Sequence, residues 1–173
     1  MTEITDDGKA YEAALTLLDF SARSRKELEE RLSRKKFSAE SVEYAVSKLE
    51  EAGLVNDEKL ARETAEMLKQ RGKGPELIRA ELRKKGIAAE TINELISAIK
   101  ENSEETLEPA VALAAKKLKQ MNKLPPDVAA RRLTGFLARR GFSPDTVRQI
   151  LKRLRNDTLP LDGGGQGGDE KSD

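Results

Sequence analysis

The feature that most constrains the fold of this chain is an internal repeat. Three stretches of 22 residues, 28–49, 78–99 and 133–154, align without a gap. Each places a leucine five residues before an aromatic or β-branched residue, in the pairs Leu32 and Phe37, Leu82 and Ile87, and Leu137 and Phe142. Self-similarity with a period of about fifty residues predicts a repeat architecture, in which neighbouring units stack and stabilise one another.

Apolar spacing within each copy predicts amphipathic helices. Late in each copy, apolar residues recur at i, i+3, i+4 and i+7, which places them on one face of a helix. These residues are Val42, Ala45, Val46 and Leu49; Ile92, Leu95, Ile96 and Ile99; and Val147, Ile150, Leu151 and Leu154. Another helix with this spacing precedes each aligned copy, and no alternating strand pattern exceeds four residues. The sequence therefore predicts an all-α fold of three tandem three-helix, helix-turn-helix-like repeats that form an elongated or curved array.

Local signals agree with these helices. Ser24 and Glu27 are spaced as a capping box, in which each residue satisfies a backbone N–H of the other. Pro75 suits the first position of a helix, where its missing N–H costs nothing. Gly86 and Gly141 stand where the chain must turn between helices, a position that favours a positive φ.

Composition shifts indicate where each repeat begins and ends. The third copy has five extra residues around MNKLPPD, 121–127. The terminal segments are polar or glycine-rich and cannot bury apolar surface, which favours disorder. We expect a disordered N-terminus over 1–9, repeats over 10–55, 56–100 and 109–155, a linker over 101–108, and a disordered acidic tail over 156–173.

Composition also excludes several classes of function. The chain has no Cys and no His, so it lacks thiolate metal ligands, disulfides and the commonest general base. Its carboxylates lie on polar helix faces beside basic residues, and we predict no enzyme activity, metal or cofactor. No apolar run could span a membrane, and the acidic N-terminus lacks a signal region, which predicts a cytoplasmic protein. The sparse aromatics Tyr11, Phe37, Tyr44 and Phe142 are expected in the core.

Charge is strongly segregated although the formal net charge is only +1. Residues 1–109 have a net charge of −5, residues 110–155 a net charge of +10, and residues 156–173 a net charge of −4. A repeat with so many cations favours binding to a polyanion such as nucleic acid or an acidic protein groove. A solvated basic face is the alternative.

Two adjacent cations end the second helix of each repeat: Arg34-Lys35, Lys84-Lys85 and Arg139-Arg140. Cations in a last helical turn complement the helix dipole, which is one explanation. The other is a cationic ridge, repeated once per unit, that follows a helical polyanion. The third pair is the stronger functional candidate because it lies in the basic repeat.

A basic turn, 69–75, adds further candidates for contact. It lacks the Gly-Lys-Ser/Thr ending of a phosphate-binding loop and follows no strand, so we interpret it as an inter-helix turn. The candidate contact residues are Arg71, Lys73, Lys84, Lys85, Arg131, Arg132, Arg139, Arg140, Arg148 and Lys152.

Four segments resemble one known family. They are RSRKELEERL (23–32), EEAGLVNDEKLA (50–61), KGPELIRAELRKKGI (73–87) and FLARRGF (136–142). Each segment alone consists of common helical residues, but their ordered combination resembles the RecX family of bacterial recombination regulators. The resemblance extends over residues 10–155.

The resemblance implies a function in DNA recombination and repair and in the SOS response. RecX proteins lie along the groove of the RecA–single-stranded DNA filament and restrain its extension, ATP hydrolysis and strand exchange. We therefore expect a monomer that binds the RecA filament, with weak, non-sequence-specific contacts to single-stranded DNA phosphates. The alternative is a stand-alone helical DNA-binding protein of transcriptional or nucleoid type.

Overall fold

The computed structural model describes residues 6–101 and 103–158, and every regular element in those ranges is an α-helix. Repeat 1 consists of α1 (Asp6–Phe20), α2 (Arg25–Arg34) and α3 (Ala39–Glu51). The predicted capping box is present, because Ser24 Oγ accepts a hydrogen bond from Glu27 N and a Glu27 carboxylate oxygen accepts one from Ser24 N. These two bonds fix the start of α2.

Repeat 2 consists of α4 (Asp57–Gln70), α5 (Pro75–Lys84) and α6 (Ala89–Glu101). Asn56 caps α4, since its side-chain oxygen accepts a hydrogen bond from Lys59 N at 2.8 Å. Pro75 occupies the first turn of α5, as predicted.

Repeat 3 consists of α7 (Ser103–Lys119), α8 (Pro126–Arg139) and α9 (Pro144–Thr158). The extra residues of this copy form the connection between α7 and α8 and the first turn of α8. The predicted all-α fold of three tandem three-helix units is confirmed.

Each repeat has its own small aliphatic core. The buried residues form three separate clusters, because the apolar faces of the three helices in each repeat meet one another. The leucines of the aligned copies lie at the cluster centres, with Leu32, Leu82 and Leu137 all 0% exposed. Because each core buries few side chains, contacts between neighbouring repeats must supply part of the stability.

The structure differs from the sequence prediction at several places. Helix α1 begins at Asp6, inside the segment predicted to be disordered, and α9 continues to Thr158, inside the predicted tail. Residues 1–5 and 159–173 lie outside the described residues. Where we predicted a linker, α7 begins at Ser103, because the buried Leu107 packs into the core of repeat 3.

One aromatic residue was placed wrongly. Tyr44 is 46% exposed, because it lies beside the buried stripe of α3 and not in it. Phe142 is buried, and Tyr11 and Phe37 are partly buried against their cores.

Candidate nucleic-acid and protein interface

Most cations of repeats 1 and 2 that form ion pairs do so within their own repeat. Arg25 is the clearest case, because its guanidinium lies 2.7 Å from Glu29, 2.5 Å from Glu43 and 2.5 Å from Glu50. This arginine therefore joins α2 to α3. Pairs one helical turn apart neutralise other cations, for example Lys48 with Glu51 at 2.6 Å.

The contact between Arg25 and Glu43 shifts the pKa values of both groups. The hydrogen bond from Arg25 holds the pKa of the Glu43 carboxyl below its usual value, and a hydrogen bond from Ser47 acts in the same direction. The same contact with Glu43, with the nearby Glu50 charge, raises the pKa of the Arg25 guanidinium. The positive charge of Arg25 is therefore neutralised within the protein, where it links α2 to α3.

Repeat 3 has too few carboxylates to neutralise its cations. Its α8 contributes Asp127, whose carboxylate is 3.9 Å from Arg131, and α9 contributes Asp145, which contacts Arg148. Glu108 pairs with Arg153 at 2.9 Å. Residues 110–155 contain 12 Lys and Arg against those two aspartates, so a positive surface is unavoidable.

The structure separates the two members of the cation pairs in repeats 2 and 3, whereas Arg34 and Lys35 of repeat 1 are both exposed. Lys85, the second member in repeat 2, lies at the junction with repeat 1. Its carbonyl oxygen accepts a hydrogen bond from Ser24 Oγ, and its Nζ is 3.6 Å from Glu27 Oε1. The Ser24 side chain is fully buried there. Lys85 therefore helps to hold repeat 1 against repeat 2.

Arg140 has the same position at the junction of repeats 2 and 3. Its carbonyl oxygen accepts a hydrogen bond from Gly74 N at 2.7 Å, and its Nη1 donates to Arg71 O at 2.8 Å. Its guanidinium also lies 4.9 Å from the centre of the Phe136 ring. The two junctions are built alike, because the N-terminus of one repeat's second helix contacts the turn after the next repeat's second helix.

This docking explains the turn glycines. Gly86 and Gly141 have φ of 80° and 86°, as predicted, and a Cβ there would meet Lys26 and Leu77 atoms of the preceding repeat at 2.3 and 2.6 Å. The equivalent residue of repeat 1 is Lys36, which keeps a positive φ of 71° and is exposed. Among the described residues this turn is exposed, so a side chain fits there.

The first members of the pairs point to solvent. Arg34, Lys84 and Arg139 are all exposed at the ends of α2, α5 and α8. Arg34 is 3.5 Å from Glu30. The structure thus places Lys84 and Arg139 on the surface while Lys85 and Arg140 form the junctions.

Three predicted residues of α8 meet in one groove. Arg131, Arg132 and Arg139 line a cavity of about 1030 Å³ between α8 and the connection that precedes it. Lys117 and Lys123 line it too, and neither was singled out from the sequence. Only the charge excess of 110–155 signalled them, since they lie on different elements.

Arg148 and Lys152 lie elsewhere. They line a second, more apolar groove of about 530 Å³ between α8 and α9, on another face of α8, together with Arg155. Arg71 is exposed and Lys73 is half-buried in the turn that contacts Arg140. The ten predicted residues therefore occupy several surfaces and do not form a single site.

The described residues provide no group of three or more Asp and Glu side chains that could hold a metal ion. No helix in the described part of the chain is long and apolar enough to cross a membrane.

Comparison with known proteins identifies all three repeats. Family models of the first, second and third three-helix domains of RecX match residues 10–49, 56–96 and 103–151. The regulatory protein RecX of Streptomyces coelicolor is 35% identical over 158 residues, which are 88% of this chain and 83% of that protein. That of Chlorobaculum tepidum is 34% identical over 151 residues, 85% of this chain and 91% of that protein.

Solved structures agree with the sequence comparison. The crystal structure of RecX from Lactobacillus salivarius superposes with a TM-score of 0.79 at 26% identity, covering 89% of this chain and 98% of that one. A second crystal structure of a regulatory protein RecX has a TM-score of 0.72, also at 26% identity, over 85% of this chain and 72% of that one.

Proposed function

Because this chain belongs to the RecX family of regulatory proteins, we propose that it binds the RecA–single-stranded DNA filament and mainly inhibits its activity. The inhibited steps are ATP hydrolysis, strand exchange and filament extension. The protein acts without catalysis, as a monomer, in the cytoplasm where RecA filaments form. The observation that supports this proposal most strongly is the match of all three repeats, in order, to the RecX domains.

The distribution of cations supports contact with a filament. Exposed cations recur once per repeat at the ends of α2, α5 and α8, and repeat 3 adds an unneutralised positive surface. A helical filament presents repeating subunits and phosphates, so an array of similar units can follow it. Contacts with phosphates provide affinity that is independent of base sequence.

The experiment is a titration of RecA-dependent ATP hydrolysis on single-stranded DNA, with a matched RecA. We expect substoichiometric protein to slow hydrolysis, because one array restrains several filament subunits. An unchanged rate at a stoichiometric amount of protein would exclude the proposal.

A second candidate, a stand-alone DNA-binding protein, is favoured by the net charge of +10 on residues 110–155. In that case the protein would slow RecA merely by covering DNA. Repeating the titration with excess single-stranded DNA separates the two. Filament binding predicts that inhibition persists, whereas competition for DNA predicts that inhibition disappears as DNA is added.

A further inference from the structure

The extra residues of repeat 3 build one wall of the basic groove. Residues 120–125 connect α7 to α8, and Gln120, Met121, Asn122, Lys123 and Leu124 all line the cavity. Turn hydrogen bonds hold this connection, including Met121 N to Leu118 O at 2.8 Å and Leu124 N to Met121 O at 3.0 Å. Repeats 1 and 2 lack the insertion, so the groove is a structure of repeat 3 alone.

The lining of this groove is cationic on both walls. Lys117 and Lys123 come from α7 and the connection, while three arginines come from α8, and none of the lining residues is acidic. The aligned repeats have no cation at the positions of Lys117 or Arg132, where Leu17 and Met67, or Glu27 and Leu77, stand instead. Lys123 lies in the insertion, so three of the five groove cations are specific to repeat 3, whereas Arg139 aligns with Arg34 and Lys84.

The groove surface of α8 is unusually bare at Gly135. Glycine is the least favourable helix-interior residue after proline, and repeats 1 and 2 have Glu30 and Ala80 at the aligned positions. No close packing requires it, since a Cβ at Gly135 would meet only the flexible Arg139 Nη1, at 3.3 Å. A missing side chain at this place allows a ligand to approach the helix backbone closely.

An aromatic ring lies next to this bare surface. Phe136 is partly buried against the core and lines the groove. Lys117 Nζ lies 5.9 Å from the ring centre, and the Arg140 guanidinium lies 4.9 Å from it. A basic groove with an aromatic ring is the combination that binds single strands without sequence preference, because phosphates meet cations and bases meet the ring.

We propose that the groove between residues 120–125 and α8 is a binding site for one strand of a polynucleotide. Lys117, Lys123, Arg131, Arg132 and Arg139 contact the phosphates, and Phe136 and the bare surface at Gly135 meet the sugars and bases. A concave site with two walls suits a single flexible strand better than a duplex. The assignment deepens the proposed filament function and rests on it for the source of the strand, but binding in this groove does not require RecA.

The test compares two full-length triple variants with the same loss of charge. The groove variant carries Lys123→Gln, Arg132→Gln and Arg139→Gln. The control carries Lys116→Gln, Lys119→Gln and Arg155→Gln, which are exposed cations of the same repeat that do not line this groove. Binding of a fluorescent oligo-dT strand is measured by anisotropy over a range of KCl concentrations, and melting temperatures verify that both variants are folded.

We expect the groove variant to lose affinity about tenfold or more near 0.1 M salt, with a logarithmic salt slope about 2 smaller, from about 0.7 per lost phosphate contact. The control should keep most of its affinity and its slope. Equal losses in both variants would mean that the field of the whole repeat attracts DNA, and the groove assignment would fall. It would fall also if the groove variant kept its DNA affinity but lost RecA inhibition, because the groove would then bind an acidic protein surface.

A second variant tests the bare helix surface. Gly135→Ala introduces the residue of repeat 2, so it should raise the melting temperature while lowering affinity for the strand. Higher stability with unchanged affinity would overturn the close approach of the strand at Gly135. The two proposals also fail separately: RecA inhibition without RecA-independent strand binding would exclude the groove assignment, whereas strand binding without inhibition would exclude the filament function.

Discussion

A single turn position distinguishes repeats 2 and 3 from repeat 1. Gly86 and Gly141 combine a positive φ with close contact to the preceding repeat, while Lys36 also has a positive φ but is exposed. Two physical requirements thus coincide at the glycines, and only one of them applies at Lys36. In repeats 2 and 3, the glycine at this position therefore marks the contact with the preceding repeat.

Substitution at this position should therefore depend on the repeat. Gly141→Ala should destabilise the protein by about 2 kcal/mol or more, because it adds left-handed strain and a methyl group 2.6 Å from Leu77 N. Lys36→Gly is the matched control and should change stability by no more than about 1 kcal/mol, because the relief of left-handed strain is opposed by the greater backbone freedom of glycine in the unfolded chain. Urea unfolding measures both. Equal effects would show that the docking contact is not required.

Sequence reasoning succeeded with single residues where the physics is local. The capping box of Ser24 and Glu27 and the positive φ of the turn glycines follow from neighbours a few residues away. The division of labour between Arg139 and Arg140 could not be predicted, because the contact from Arg140 to Arg71 O spans 69 positions. Only the packed repeats bring these residues together.

At the scale of helices, each aligned leucine anchors a separate core. Leu82 is fully buried in α5 and packs within the cluster of repeat 2. Leu82→Ala should cost about 2–5 kcal/mol, the range for removing a large buried side chain. Ala80→Ser, on an exposed position of the same helix, is the control and should cost less than about 1 kcal/mol. A near-neutral result for Leu82→Ala would contradict the packing of α5.

The stability that α2 and α3 gain from the pair of Arg25 and Glu43 should depend on pH. The lowered pKa of Glu43 means that its contribution to stability is present above the unfolded value of about 4.3 and is lost as pH falls through the folded pKa. Melting temperature is therefore expected to fall with acidity more in the wild type than in Arg25→Gln, whose melting temperature at neutral pH is already lower. Parallel curves for the two proteins would show that the cluster does not link α2 to α3.

Helix positions were predictable from the sequence to a greater extent than the connections. The i, i+3, i+4, i+7 stripes located the faces that are buried, because amphipathic spacing directly records which side contacts a core. The segment 101–108 was assigned to a linker because it is polar, but Leu107 is buried and α7 includes it. The groove of repeat 3 was not predicted either. An insertion in the sequence indicates a longer connection between helices, but it does not indicate that this connection forms one side of a groove.

For the whole molecule, the repeats differ in how they use their charge. In repeat 1, three carboxylates form ion pairs with Arg25, whereas repeat 3 has too few carboxylates to pair with all of its cations. The sequence alone predicted this segregation, because charge counts need no coordinates. It could not predict that the cations divide between a groove, a second face and a junction.

Substitutions of Arg139 and Arg140 test whether the exposed cations and the junction between repeats 2 and 3 have separate functions. Arg140→Gln should lower stability by about 1 kcal/mol and weaken RecA inhibition only indirectly, because it removes the side-chain hydrogen bond to Arg71 O, one of those that join repeats 2 and 3. Arg139→Gln should leave stability within about 0.5 kcal/mol of the wild type, because the residue is exposed, and should weaken strand binding and inhibition directly. Thermal melting and the ATP hydrolysis titration measure both properties on the same samples.

Inhibition measured at lower temperature distinguishes a loss of docking between repeats from the loss of a direct contact. Lowering the temperature should restore inhibition by Arg140→Gln, because the repeats remain docked when the protein is far from its melting temperature. It should not restore inhibition by Arg139→Gln, because that variant is already folded and lacks a contact. If Arg140→Gln melted like the wild type yet lost inhibition at every temperature, the two arginines would act together as a ridge. The hydrogen bond from Arg140 to repeat 2 would then follow from the position of this residue at the end of α8 and would not be needed for stability.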